Sequence, residues 1–362
     1  MSLHILIIVL LFLLSCFFER SRGVSLLVFI YMWLLWGWNA WNGDYEAYEA
    51  VYLSTTYDTI WTTNIEKGYF LINYIFNNIF GLKFSSFMIV FAFFVLSIVY
   101  YLSSKICDKV GYFNILYFVI FILEYVYMRN ALSHVLILFV LLVSIYNNKI
   151  SKKKFIIYIL LCAFIHASSL TFLILVFAIS NERKFSISKI VKYAIVVFAM
   201  GFFLFNFVSG YFGGFFLHKL NAYSGFSGIS NSFVGLIVLV ALSVYYYNNC
   251  LNVSVLSQDQ MRIRIMFINI NLLCLFLLTF FYFLPYFARL FRLLLMFNLI
   301  GYLYFFKYVL NLRLIRHFRT IIFVFYFSFA LLLLQNATHL WSTYPLFNVN
   351  RIFGISYYES IY

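Results

Sequence analysis

An all-α polytopic membrane protein is the fold class that this sequence predicts, on three observations. Of 362 residues, 65% are hydrophobic and only 10% are charged, the mean hydropathy is +0.97, and the polar residues are gathered into short segments between long apolar runs. Soluble domains carry about a quarter charged residues. Two prolines and the lack of alternating segments of roughly ten residues argue against a β-barrel. About twelve transmembrane or half-spanning helices are expected, forming a single integral membrane domain over residues 1–362.

The charges set the orientation. Cytoplasmic loops of membrane proteins collect Lys and Arg. Under the topology below, eighteen of the 25 Lys/Arg and four of the eleven acids fall inside, leaving seven of each outside. The whole net charge of +14 is then cytoplasmic, and a nucleic-acid partner is not required to explain it. The five cysteines show no CxxC or metal-ligand spacing and read as apolar fillers.

Leu3 to Phe18 is a first span, and the basic loop Glu19-Arg20-Ser21-Arg22 after it puts the N-terminus outside. No basic region precedes the apolar run, so a cleaved signal peptide is not expected. Val24 to Trp38 returns to the outer face. There Asn42 to Tyr69 carries five of the eleven acids, Asp44, Glu46, Glu49, Asp58 and Glu66, with no Lys or Arg between Arg22 and Lys67. Residues 39–83 form the first large outer loop, ending in a short interfacial or re-entrant helix over Tyr69 to Leu82.

Phe84 to Ser104 crosses inward, Tyr112 to Tyr127 outward and Ala131 to Tyr146 inward again. Phe155 to Ser180 is basic at both ends, which predicts a hairpin of two short helices over 155–180, broken at Ile165-His166-Ala167-Ser168-Ser169. Lys189 to Ser209 leads to a second outer loop over 210–230 with His218 and Lys219. Phe233 to Tyr247, Ile265 to Leu284, Leu293 to Leu310 and Thr320 to Gln335 complete the crossings, and 336–362 is an outer tail. Both termini are then outside.

Polar groups at membrane depth, or placed against the charge rule, cost several kcal/mol unless paired or hydrated, which marks them as functional candidates. Arg289 and Arg292 are three apart and share a helical face, where guanidinium forks suit the oxygens of a diphosphate. Pairing with outer acids, or snorkelling to headgroups, is the bland alternative. Arg129 reaches the same level, with a salt bridge to Glu124 as its structural alternative. His134 reads first as a turn or core histidine. His166 either satisfies a carbonyl in the core or accepts a proton and orients a sugar hydroxyl. Asp44, Glu46 and Glu66 form either a solvated acidic face or carboxylates that bind sugar hydroxyls and act as general base.

Gly43-Asp44-Tyr45 followed by Tyr48 and Tyr52, then Glu66-Lys67-Gly68-Tyr69, Met128-Arg129-Asn130-Ala131-Leu132 and His166-Ala167-Ser168-Ser169 resemble, in order and rough spacing, the EpsG family of Wzy-like polysaccharide polymerases. One departure is that relatives commonly carry an Arg shortly before the Gly-x-Asp-Tyr element, where this chain has Trp36-Gly37-Trp38-Asn39-Ala40-Trp41-Asn42. The resemblance implies a GT-C-like glycosyltransferase of the bacterial inner membrane, its active site facing the periplasm. Such an enzyme joins undecaprenyl-diphosphate-linked repeat units into O-antigen or a similar surface polysaccharide, with no cofactor or metal. Its expected partners are the lipid-linked donor and acceptor, membrane lipids and a chain-length regulator. In this reading Asp44, Glu66 and His166 are catalytic, Arg129, Arg289 and Arg292 bind diphosphate, and Tyr45, Glu46, His134 and Arg351 contact sugar. A flippase of the same lipid-linked unit, or a ligase or single-sugar transferase, is the alternative.

Overall fold

The computed structural model describes residues 2–63, 66–147, 151–179, 183–211, 231–283, 289–310, 312–334 and 343–355. The second outer loop with His218 and Lys219, the turn at Pro285, and residues 336–342 and 356–362 of the tail therefore lie outside the described residues. The described chain is almost wholly helical and is an all-α membrane protein. Three helical stretches are long and apolar enough to cross a bilayer, Phe84–Ile106, Phe233–Cys250 and Gln258–Tyr282. Five shorter apolar helices accompany them, Leu3–Phe17, Arg22–Gly37, Val110–Ile122, Met128–Val143 and Ala167–Ile179. One two-stranded ribbon is present among the described residues.

The chain packs as two compact units. The first comprises Met1–Leu142, Leu160–Ala167 and Ile315–Tyr362, and the second Val143–Ile159 and Ser168–Leu314.

In the first unit, α1 (Ser2–Phe17), α2 (Arg22–Gly37), α6 (Phe84–Ile106), α7 (Val110–Glu124) and α8 (Met128–Asn147) supply most of the apolar core. Side chains with one polar atom join them: Trp33 Nε1 donates to the Ile89 carbonyl at 2.9 Å, and Ser25 Oγ to Asn114 Oδ1 at 2.9 Å. Within a bundle such bonds add specificity to apolar packing, since lipid supplies no competing partner. At the basic end, α1 and α7 approach so closely that a Cβ on Gly111 would meet the Ser15 carbonyl at 2.0 Å. The Glu19–Lys109 pair, at 2.6 Å, closes this corner.

The acidic segment, expected as an outer polar loop with one short helix, is itself helical. It contains α3 (Tyr45–Ser54), α4 (Tyr57–Thr62) and α5 (Lys67–Tyr74), followed by a π-turn at Ile75–Ile79. The reason is legible: Tyr45, Tyr48 and Tyr52 recur at helical spacing and are the buried residues of α3, while its acids face outward. Thr56 and Thr59 form a reciprocal capping box that starts α4. The π-turn aims Asn77 and Asn78 back at α3, where their amides donate to the Tyr52 and Thr55 carbonyls at 3.0 and 2.8 Å. Those are carbonyls that a helix end leaves unmet.

In the second unit, the helix expected from Ile265 begins at Gln258, because Ser257 and Gln260 form a capping box ahead of the apolar run. Asn271 on that helix and Asn298 on the helix Phe291–Phe305 exchange amide hydrogen bonds at 2.8 and 2.9 Å. Both are fully buried. Phe267 stacks on Phe297 with centroids 4.2 Å apart one turn away. Replacing Asn271 with Ala leaves Asn298 Oδ1 without its donor in an apolar interior, while Asn298 Nδ2 keeps its bond to the Leu294 carbonyl; the loss is about 1–3 kcal/mol. The single variant is therefore expected to unfold earlier than wild type in a detergent melt, and an Asn271→Leu, Asn298→Leu double variant to recover much of the difference.

Candidate active site

The buried carboxylate of Glu66 gathers groups from three parts of the first unit. Glu66 Oε2 is paired with Arg129 at the start of α8. Its Oε1 accepts from His166 Nδ1 at 2.5 Å and from the Ala167 backbone N–H at 3.2 Å. The Glu66 side chain is 6% exposed, that of Arg129 37% and that of His166 17%. The carboxylate is thus sheltered while its two partners are partly exposed. Three residues separated by 63 and 100 positions in sequence meet at one acid.

The backbone is shaped to allow this. Glu66 is the N-cap of α5 and sits in the left-handed region at φ 61, ψ 32. Among the described residues it is the one non-glycine residue with positive φ. That conformation costs a side-chain-bearing residue of order 1–2 kcal/mol, and such strain persists where surrounding contacts over-determine it. Two positions later, a Cβ on Gly68 would stand 2.9 Å from the Phe164 carbonyl oxygen. Only glycine lets α5 approach the end of α9 (Lys152–Ile165) this closely, and that approach delivers His166 to Glu66. The helix is interrupted at His166 and resumes as a 3₁₀ turn from Ala167, within the break expected at 165–169.

Arg129 sits against a pair of phenol rings that pack edge to face, its guanidinium carbon 5.5 Å from the Tyr48 centroid and 5.6 Å from that of Tyr69. Tyr48 comes from α3 and Tyr69 from α5, and both are buried. Aromatic faces hold a guanidinium while leaving its edge for carboxylate or phosphate oxygens. These two tyrosines and Gly68 make contacts around the cluster that the residues taken singly did not point to. The available signal was a run of tyrosines at helical spacing inside an otherwise acidic segment.

Electrostatically, burial of Glu66 opposes its charged form. The hydrogen bond from His166, the charge of Arg129 and the Ala167 N–H together outweigh it, so the carboxyl is held below the usual carboxylate range. Glu66 is therefore an anion that stabilises a facing imidazolium or fixes a neutral imidazole with Nδ1–H toward itself. His166 Nε2 is left without a protein partner among the described residues.

The other candidates fall elsewhere. Asp44 is half-buried at the N-cap of α3, without a side-chain cap bond. Glu46 is exposed and accepts from Trp41 Nε1 at 3.3 Å. Tyr45 and Arg351 are brought together, Arg351 donating to the Tyr45 hydroxyl at 2.6 Å. His134 is fully buried, its Nδ1 3.2 Å from Glu124. Glu124, weighed above as a partner for Arg129, is thus engaged by His134, and Arg129 turns to Glu66. Arg289 and Arg292 belong to the second unit. There Arg292 occupies the first turn of the helix Phe291–Phe305 and Arg289 immediately precedes it, both half-buried.

The lowered position of the Glu66 carboxyl makes a pH prediction with a definite sign. A group depressed in the folded state contributes stability above its unfolded pKa, and loses it as pH falls through the folded value. Wild type should lose melting temperature on acidification below the ordinary carboxylate range, and Glu66→Gln should lack that component. A melting series in detergent across acidic pH reads both. Gly68→Val, whose branched Cβ meets the Phe164 backbone, is expected to destabilise at neutral pH.

A search of curated proteins and of solved structures gives no match to this chain. The family model for EpsG matches residues 23–346, most of the sequence and all three residues of the Glu66 cluster. EpsG proteins are a Wzy-type, polysaccharide-polymerase-like family associated with glycosyltransferase-like polymerases. This all-α membrane protein, with its Glu-x-Gly-Tyr turn, its Arg129 and its helix-breaking His166, belongs to the EpsG family.

Proposed function

We propose that this protein is a glycosyltransferase that polymerises polyprenyl-diphosphate-linked oligosaccharide repeat units at the outer face of the bacterial inner membrane, making O-antigen or a similar surface polysaccharide. Family membership supports the polymerase class. The observation that carries the mechanism is the Glu66 carboxylate bound to His166 Nδ1, with no partner for the second imidazole nitrogen among the described residues. A carboxylate that fixes one ring nitrogen as donor makes the other the acceptor, which is the arrangement of a general base.

In the proposed reaction, His166 Nε2 takes the proton of an acceptor sugar hydroxyl. That oxygen bonds to the anomeric carbon of the donor sugar, and the bond from that carbon to the diphosphate oxygen breaks. The electron pair leaves with polyprenyl diphosphate. Glu66 compensates the charge that appears on His166, and Arg129 keeps Glu66 ionised. Arg129 also offers its exposed edge to the acceptor or the departing phosphate. In the second unit, taken by itself, Arg289 and Arg292 are the candidates for binding diphosphate, a role supported by their place at a helix N-terminus, where backbone N–H groups and the helix dipole favour anions. Asp44, Glu46, Tyr45 and Arg351 line the sugar path, and His134 remains a buried partner of Glu124. The reaction draws on charge and proton transfer by side chains, without a cofactor or metal. About twelve crossings with both termini outside place the Glu66 cluster just below the outer membrane surface, where membrane lipids surround it and a chain-length regulator can reach the product.

The test is complementation of a polymerase-null strain, read as a polysaccharide ladder on a gel. His166→Ala and Glu66→Gln are each expected to cut elongation by about 10²–10⁴-fold, with the double variant little worse than either, as for residues acting as one unit. A full ladder from His166→Ala would remove the base assignment. Arg289→Ala should also lose the ladder. Reconstitution with repeat units already on the outer side separates polymerase from flippase, because only a polymerase lengthens chains there.

A further inference from the structure

The segment 343–355 stands more than 300 positions from the root of the acidic segment, yet a dense set of hydrogen bonds joins them. The buried Asn39 amide donates to the Pro345 and Val349 carbonyls at 3.0 and 3.2 Å, and Ala40 N to Val349 O at 2.8 Å. In return, the buried Asn350 amide donates to the Leu34 and Leu35 carbonyls at 3.1 Å each, filling acceptors that the end of α2 leaves open. Arg351 N donates to Trp38 O at 2.9 Å. Phe347 and Phe353 pack on the His4 ring of α1. The ribbon formed by β1 (Val349–Asn350) and β2 (Gly354–Ile355) turns through residues 351–353 and enters β2 at Gly354, whose φ is 109.

These contacts fix the backbone of Arg351 on both sides and aim its guanidinium at Tyr45, 2.6 Å away. Arg351 is exposed, and no carboxylate lies within ion-pair distance of it among the described residues. An exposed arginine bonded to a phenol contributes little to fold stability. Its effect falls instead on what the phenol carries. Tyr45 begins α3 and packs edge-on to Phe84. One turn later on the same helix, Tyr48 covers the Arg129 guanidinium that pairs with Glu66.

We propose that Arg351 is a positioning residue for the transfer reaction. By holding the Tyr45 hydroxyl it fixes the rotation of α3, and through Tyr48 it seats Arg129 on Glu66. The inference rests on the polymerase reading above. The groups facing Glu66 are Arg129 from α8, His166 from the end of α9 and the rings of Tyr48 and Tyr69. Those facing Tyr45 are Arg351 and Glu49. If Arg129 drifts from its seat, Glu66 takes up a proton at higher pH and His166 loses its anionic partner. The acid limb of activity then moves upward.

Membrane vesicles holding the full-length protein, from a strain that makes its own lipid-linked repeat units, are compared at matched protein level across pH. The proteins are wild type, Arg351→Ala, Arg351→Lys, Tyr45→Phe and the Arg351→Ala, Tyr45→Phe double variant. Arg351→Ala and Tyr45→Phe should each lower elongation about tenfold, roughly 1.4 kcal/mol of barrier. The double variant should be no worse than either, and the acid limb should shift upward in all three. Arg351→Lys, which retains the donor, should restore most of both. A silent Tyr45→Phe, or an Arg351→Ala loss with an unmoved pH profile, overturns the proposal. Thermal unfolding of the same purified proteins across acidic pH needs no substrate. The Glu66-dependent loss of stability on acidification should be smaller and complete at higher pH in Arg351→Ala and Tyr45→Phe than in wild type, and a loss of unchanged size and end point also overturns the proposal. Failure of the polymerase reading looks different: wild type gives no ladder, while the unfolding series still reports on the coupling.

Discussion

A carboxylate taken out of water must find charge and hydrogen-bond donors in the protein, and Glu66 takes its own from three separate chain segments. Its two oxygens are divided between a guanidinium on one side and an imidazole with a backbone N–H on the other. Removing any one partner leaves a buried charge under-compensated, which is far more costly than the pair is stabilising. The positions of α5, of the first turn of α8 and of the end of α9 are therefore mutually dependent. Left-handed backbone at Glu66 and the absence of a side chain at Gly68 are the local concessions that this meeting requires.

Around that point the first unit supplies a rigid frame. The tyrosines of α3 do two things with one helical face: Tyr45 and Tyr52 lean on the aromatic start of α6, while Tyr48 leans on Arg129. The asparagines play a comparable part for the backbone. Asn77 and Asn78 finish α3, Asn39 fastens the root of the acidic segment to the chain's far end, and Asn350 finishes α2. At each place a side-chain amide donates to backbone carbonyls at or beyond the end of an element. Short helices at a membrane surface have little apolar area to bury, so their positions depend on such bonds more than those of core helices do.

The second unit shows the complementary strategy. Its core is aromatic and aliphatic, and its buried polar contacts include the pairs Asn271 with Asn298 and Ser243 with Tyr302. In an apolar medium these pairs have no competing solvent and specify which helix faces which. The guanidiniums of Arg289 and Arg292 stand at the N-terminal end of one of these helices, where positive charge is not stabilised by the helix dipole. An anionic ligand there would reverse that penalty.

Much of this was legible in the residues. Hydropathy, with the lack of alternating segments, determined an all-α membrane protein, since helices and closed barrels are the two ways to satisfy a backbone in lipid. The ordered elements around Asp44, Glu66, Arg129 and His166 pointed to the family, and the basic flanks of 155–180 located the helix break at His166. Helical order in the acidic segment was also written there, in Tyr45, Tyr48 and Tyr52, but its many acids concealed it. What the sequence could not decide was who pairs with whom. Arg129 had Glu124 five positions away and chose Glu66, 63 positions away. Glu124 in turn went to His134, and Arg351 reached Tyr45 across the length of the chain. Periodicity reports which face of a helix is buried. Only tertiary packing brings particular faces within the few ångströms over which a salt bridge or a hydrogen bond forms.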